Sequence, residues 1–295
     1  MLSRLKSMVK RYPRLAGYYR ALHRKLNRAL LEIRDVRDTF LSRPRKAEMT
    51  PYGFKLLGGS SIHHRKMKLG IFELEETAII RHYLDQAQVF VDVGANIGFY
   101  TCLARSTNKH VIAIEPLQLN LNYLYANLNT NHWNDVEVYP VGLSDRPGLV
   151  TLYGASMTGA SLINGWAGAS ERFQRTIPVT TLDILLNERF EGKKLLIKID
   201  VEGVEYLVLQ GGIKALRLTP RPTWMIEICL SEYYPAGLNP NYAVTFALFW
   251  QNGYEARTAN QEGRVIKPTD VERWVRGGYC DSRVINYIFV PLEHI

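Results

Sequence analysis

Val89-Phe90-Val91-Asp92-Val93-Gly94-Ala95-Asn96-Ile97-Gly98-Phe99-Tyr100 spells a strand, a tight turn and the first turn of a helix. Gln88–Val93 is β-branched and apolar enough for a strand covered on both faces, as in a parallel sheet. Beyond Gly98 the apolar residues Ile97, Tyr100, Leu103 and Ala104 fall at helical spacing. A strand delivering the chain through glycines to a helix N-terminus is a unit that cradles ligands. Dinucleotide sites use G-x-G-x-x-G, whose middle glycine admits a pyrophosphate. Here that glycine is missing and a carboxylate, Asp92, closes the strand. Such a carboxylate suits a ligand carrying an ammonium group and suits a diphosphate poorly. The competing interpretation is a βα turn whose glycines serve packing alone.

The spacing Asp92-x-Gly94-x-x-x-Gly98 resembles motif I of the class I S-adenosylmethionine (AdoMet) methyltransferases. His110–Pro116 then reads as a second buried strand ending in Glu115, beside the first turn in a doubly wound sheet. An acid there can accept hydrogen bonds from both ribose hydroxyls; its alternative use is as a helix N-terminal carboxylate. Val136–Leu143 reads as the third strand, with Asp145 placed either to bond an adenine amino group or simply to serve a turn.

Leu195–Val204, Leu-Leu-Ile-Lys-Ile-Asp-Val-Glu-Gly-Val, is the other informative stretch. A buried run ends in Asp200 and Glu202, with Glu205 following. One acid would suffice to cap the next helix, so Asp200 and Glu202 are read as functional: a general base, or oxygen ligands for Mg²⁺. Glu227, inside the apolar strand Trp224–Cys229, needs a partner such as Lys198 or a place in the site. Asp200, Glu202 and Glu227 are the candidates should Mg²⁺ take part, and no residue is assigned to a metal.

The flanking chain is less specific. Hydrophobic residues make up 46% and charged residues 22% of 295, an ordinary globular composition. The net charge of +9 is unevenly held: residues 1–48 carry 14 Lys/Arg against 4 Asp/Glu, while the remainder carries 23 against 24. A near-neutral main domain speaks against nucleic-acid binding. Residues 1–48 pattern as a basic amphipathic helical arm, with a Pro13 break and a stripe through Tyr19, Leu22, Leu26, Leu30 and Ile33. Such an arm fits peripheral membrane contact or packing on its own domain equally. Three scattered cysteines, no run of 18 apolar residues and no secretory leader point to a cytoplasmic location, peripheral at the inner membrane face if the arm binds lipid. Residues 49–87 form a linker and a pocket-covering helix at Gly70–Leu84; the pair His63-His64 is read as surface or substrate-entry. Residues 88–295 form the catalytic domain. Within it Gly154–Arg175 reads as an active-site loop, Val179–Leu186 as the start of a helix capped by Thr181 or Asp183, and Val284–Val290 as the last strand.

Asp-Val-Gly-Ala-Asn-Ile-Gly (92–98), Ile-Glu-Pro (114–116), Leu-Ser-Asp (143–145), Thr-Leu-Asp (181–183) and Lys-Ile-Asp-Val-Glu-Gly-x-Glu (198–205) occur in this order. The set resembles the FkbM family of AdoMet-dependent methyltransferases over roughly residues 70–290. The resemblance implies a Rossmann-like class I methyltransferase fold: α/β, a mostly parallel seven-stranded sheet flanked by helices. It implies AdoMet as cofactor, held by Asp92, Gly94 and Asn96 with Glu115, and methyl transfer at Asp200 and Glu202; Gly98 and Asp145 join the cofactor candidates by their places in the chain. Hydroxyls of sugars, glycolipids or natural products are the acceptors it implies. The rival expectations are a nicotinamide-dependent oxidoreductase, disfavoured by the missing glycine, and a silent scaffold acting through the arm.

Overall fold

The computed structural model describes residues 46–58, 62–154, 159–235 and 237–292. The expected helical arm therefore lies outside the described residues, apart from its last three. β1 (Glu48–Met49) and β2 (Lys55–Leu56) form a short antiparallel pair, so the expected boundary at 48/49 falls inside a hairpin. Two helices follow, α1 (Ile62–Leu69) and α2 (Leu74–Gln86). Helix α2 starts four residues later than Gly70, because Glu73 takes a left-handed backbone (φ 42°) and breaks the turn.

The chain then alternates strand and helix: β3 (Val89–Val93), α3 (Phe99–Ser106), β4 (His110–Ile114), α4 (Gln118–Thr130) and β5 (Glu137–Tyr139). The strand expected over Val136–Leu143 is two strands in different sheets. Pro140 offers no amide to continue the ladder after Tyr139, and β6 (Gly142–Leu143) joins a second sheet with β7 (Gly148–Tyr153) and β8 (Gln174–Thr180). Next come α5 (Leu182–Leu186), β9 (Leu195–Ile199), α6 (Glu205–Gln210), β10 (Thr223–Glu227) and α7 (Tyr242–Gln251). The chain closes with β11 (Tyr254–Thr258), β12 (Val265–Ile266), α8 (Pro268–Gly277) and β13 (Asn286–Pro291).

The main sheet runs β12-β11-β13-β10-β9-β3-β4-β5. The five strands from β10 to β5 are parallel, and β13 lies antiparallel between β10 and β11. This is the class I methyltransferase arrangement with seven substantial strands, to which the two-residue β12 adds an eighth at the edge. Side chains of β3 alternate across the sheet. Val89, Val91 and Val93 enter one core with Ile197, Trp224 and Phe246; Phe90 enters the other with Ile80, Leu103 and Leu124. Asp92 shares Phe90's side by the same alternation, which aims it at α3. Every parallel strand delivers its carboxyl end to one edge, where ligands bind in open α/β sheets.

Candidate active site

At that edge the turns after β3, β4, β9 and β10 surround a cavity of about 450 Å³, within the range of roughly 300–1,000 Å³ typical of small-molecule sites. The segment Asp92–Asn96, Glu115, Lys198, Asp200, Glu202 and Glu227 all line it. The cavity thus unites six of the expected cofactor and catalytic residues, Asp92, Gly94, Asn96, Glu115, Asp200 and Glu202, which lie up to 110 residues apart in the chain. Two expected residues stay outside. Gly98 sits left-handed (φ 86°) at the N-terminus of α3, where an added Cβ would lie 2.4 Å from Leu124 Cδ1; its role is to let α3 and α4 pack. Asp145 is exposed and accepts a hydrogen bond from the neighbouring Ser144 hydroxyl at 3.0 Å, since β6 carries it off with the second sheet.

Glu115 is buried, and its two oxygens accept from the amides of Asn96 and Leu117, each at 2.8 Å. Glu115 thus steadies the entry to α4, the helix-terminal use weighed for it, and it also lines the cavity. Burial pushes its carboxyl up to about 7, against the pull of those amides. Asp92 is 1% exposed and accepts from the Thr101 hydroxyl at 2.6 Å. Burial raises its carboxyl, with the Lys198 charge opposing. Asn96 takes a left-handed backbone (φ 52°) that turns its amide to Glu115.

Lys198 is the group the sequence undervalued. It stands directly across from Asp92 in the β3–β9 register, is 4% exposed, and donates to Asp200 Oδ2 at 2.8 Å. Its ammonium also lies over the Tyr100 ring, 5.0 Å from the centroid. A buried ammonium without partners would deprotonate. Burial does work against the charge here, but Asp200, Asp92 and Glu73 outweigh it and hold the lysine above its ordinary range. Lys198 therefore pairs with Asp200 and not with Glu227. Glu227 lines the cavity with a thiol contact from Cys229 at 3.6 Å, and burial together with the Asp200 and Glu202 charges raises it well above the usual carboxylate range.

Glu73 was not singled out by the sequence, where it looks like one acid among three opening α2. It accepts from the Tyr100 hydroxyl at 2.7 Å, lines the cavity with Phe72, and is pushed up to about 7 by burial, with Lys198 opposing. Glu202 has both carboxylate oxygens engaged: Trp166 Nε1 donates to one at 2.7 Å and the Gly159 amide to the other at 2.8 Å. Burial and the nearby Asp200 charge raise it. Of the tandem histidines, His63 lines the cavity while His64 is buried in α1. Among the described residues no group of three or more His, Cys, Asp or Glu is arranged to hold a metal ion. Asn286, the first residue of β13, donates to Glu76 at 3.3 Å.

Chemically, the arrangement offers fixed acceptors (Asp92, Glu115) and, on the strand and turn next to Asp92, a charged Asp200–Lys198 pair. Residues 92–256 match the methyltransferase FkbM domain. Over 145 residues the chain is 30% identical to the hexuronic acid methyltransferase AglP of Haloferax volcanii, covering 48% of this chain. That stretch spans 58% of the relative, less than two thirds of its length. Among solved structures, an O-methyltransferase from Bacillus cereus in complex with SAH aligns at 11% identity over 74% of this chain and 80% of that one, with a TM-score of 0.40. A SAM-dependent methyltransferase from Agrobacterium tumefaciens aligns at 9% identity over 84% and 69%, with a TM-score of 0.42. The domain match covers more than half of the chain and contains Asp92, Glu115, Lys198, Asp200 and Glu202: the chain belongs to the FkbM-domain family of methyltransferases.

Proposed function

We propose that the protein is an AdoMet-dependent methyltransferase acting on a hydroxyl of a sugar, glycolipid or related natural product. The observation that carries this reading is the convergence of Asp92–Asn96, Glu115 and Asp200 on one cavity. The relative named as a hexuronic acid methyltransferase supports a sugar-type acceptor.

The donor set fits AdoMet. Glu115, fixed by two backbone amides, is an acceptor pair suited to ribose hydroxyls. Asp92 is an anionic acceptor for an ammonium group, and it shares the charge of Lys198. Bound AdoMet would supply a methyl group already activated on a sulfonium. What remains for the protein is orientation and removal of one proton. Asp200 is the proton acceptor in this reading, because Glu202 has both oxygens committed to the protein. Lys198 orients the Asp200 carboxylate through the 2.8 Å ion pair. General-base assistance of this kind contributes about 10²–10⁴ in rate.

Calorimetric titration with AdoMet tests the cofactor, and a radiolabelled-methyl assay on a panel of glycans and glycolipids tests the reaction. Asp92→Ala should lose AdoMet binding. Asp200→Asn should keep it and lose about 10²-fold or more in turnover. Equal loss of cofactor affinity in both variants would sink this division of roles, and a folded protein that ignores AdoMet would sink the whole reading.

A further inference from the structure

We infer that the cavity contains a subsite for a neutral pyranose ring, with the face of Tyr233 as its platform and Glu202 and Trp166 as the clamp behind it. The inference rests on the methyltransferase reading and names the acceptor's chemistry. Tyr233 lines the cavity while 51% exposed, so its ring is open to whatever enters. Its backbone is left-handed (φ 69°), an outlier for a bulky side chain. Such conformations persist where surrounding structure over-determines them, and they gather at ligand clamps. Here the structure that holds it is visible. The Ala167 amide donates to the Tyr233 carbonyl at 2.8 Å, from a residue itself at φ 48°. Trp166, fully buried, stands 5.8 Å from the Tyr233 ring and edge-on to Tyr234 at 4.9 Å.

Glu202 secures that tryptophan. Besides its bonds to Trp166 Nε1 and the Gly159 amide, its carbonyl accepts from the Ser161 hydroxyl at 2.6 Å. Glu202 is the third left-handed residue of the group (φ 59°). Gly203 follows with no room for a side chain: a Cβ would lie 2.4 Å from the Trp166 ring. The Tyr234 hydroxyl closes the circle on the Gly203 carbonyl at 2.9 Å. Three segments far apart in sequence, at 159–167, 202–203 and 233–234, are thereby locked together, and the element they present to the cavity is one exposed aromatic face.

A ring face carries partial negative charge and accepts the weakly positive C–H hydrogens that cover one side of a pyranose. The hydroxyls around the sugar's rim need acceptors, and Asp200 and Glu227 line the same cavity. Glu227 and Glu202 lie close enough to Tyr233 to raise its hydroxyl further above the range that burial alone sets. An acceptor bearing its own carboxylate would add a further negative charge beside acids that burial and one another's charges already raise. Lys198, the lysine or arginine among the described lining residues, is already paired with Asp200. A neutral ring is therefore favoured over a uronate. In this role Glu202 is a positioning residue.

The test is saturation-transfer NMR on the full chain with S-adenosylhomocysteine present. The probes are methyl glycosides of glucose, galactose, mannose and rhamnose, and methyl glucuronoside. We expect transfer to the ring C–H hydrogens of at least one neutral glycoside. That binding should persist in Tyr233→Phe and weaken by about tenfold in Tyr233→Ala, the upper value for a single aromatic contact. Trp166→Phe and Glu202→Gln should also weaken it, leaving AdoMet affinity by calorimetry within about twofold. Undiminished binding in Tyr233→Ala, preference for the glucuronoside, or no glycoside binding by protein that binds AdoMet would each overturn the subsite. Failure to bind AdoMet at all counts against the methyltransferase reading and is scored separately.

Discussion

A methyl group added at position 94 would lie 1.9 Å from the Asp200 carbonyl oxygen. Gly94 is also left-handed (φ 84°), so two independent features exclude a side chain there. Packing, one of the alternatives weighed for this glycine, is what the structure shows: its turn nests against the turn that carries Asp200, and the residue also lines the cavity. Gly94→Ala is expected to destabilise the fold by more than about 1 kcal/mol and to lose AdoMet binding, measured by urea unfolding and calorimetry. Normal binding in that variant would show that the two turns move independently. Glu202 teaches a related lesson. Three acids in Asp200–Glu205 exceed what one helix start needs, and by sequence the excess reads as chemistry. Glu205 accepts from the Gly203 amide at 2.9 Å, a bond that fixes the turn leading into α6 without capping the helix, whereas Glu202 is tied to a distant loop that no local pattern reveals.

Among the elements, α5 offers a simple test of local logic. The Thr181 hydroxyl accepts from the Ile184 amide at 3.1 Å, as an N-cap should. Thr181→Ala is expected to cost about 1 kcal/mol, read from denaturant midpoints. Strands β3, β4 and β9 were legible because both faces are covered, which leaves near-continuous runs such as Leu195–Ile199. Helix α1 was not legible: Ile62–Leu69 is short, carries Arg65, Lys66 and Lys68 among its eight residues, and keeps only His64, Met67 and Lys68 inward. Strand β8 was hidden by Pro178 in its middle and by an alternation that buries only Ile177 and Val179. The active-site loop was expected over Gly154–Arg175, but its anchor, Trp166, had no sequence signal beyond being a large apolar residue among small ones. The Glu202–Trp166 bond joins residues 36 apart, and such pairings have no periodicity to betray them.

At the scale of the molecule, the site concentrates buried carboxyls, and that has a sign in pH. Burial raises Glu73 and Glu115 to about 7 and Glu205 to about 8, from 4.5. Between those limits the folded protein holds protons that the unfolded chain has released. Stability without ligand should therefore be highest near the low end of this window and fall as pH rises through it. Calorimetric melting at pH 5 and pH 8 checks this, with the higher midpoint expected at pH 5; the reverse order would mean that the charges on Lys198 and its neighbours control the balance. The basic segment 1–48, net +10, remains proposed as a peripheral membrane contact, and sedimentation with anionic vesicles, with and without it, is the measurement. The nesting of Gly94 against Asp200 also has a meaning in time. The halves of the cavity are 106 residues apart in the chain, and β9 enters the sheet beside β3 only after the whole second sheet has been made. A nascent chain carrying β3, β4 and α4 would hold Asp92 and Glu115 and still lack the wall that makes them a pocket. Ligand capture is thus deferred until a contact of long sequence separation forms, the kind that closes slowly, and AdoMet binding during synthesis would act as a clock for the arrival of residue 200.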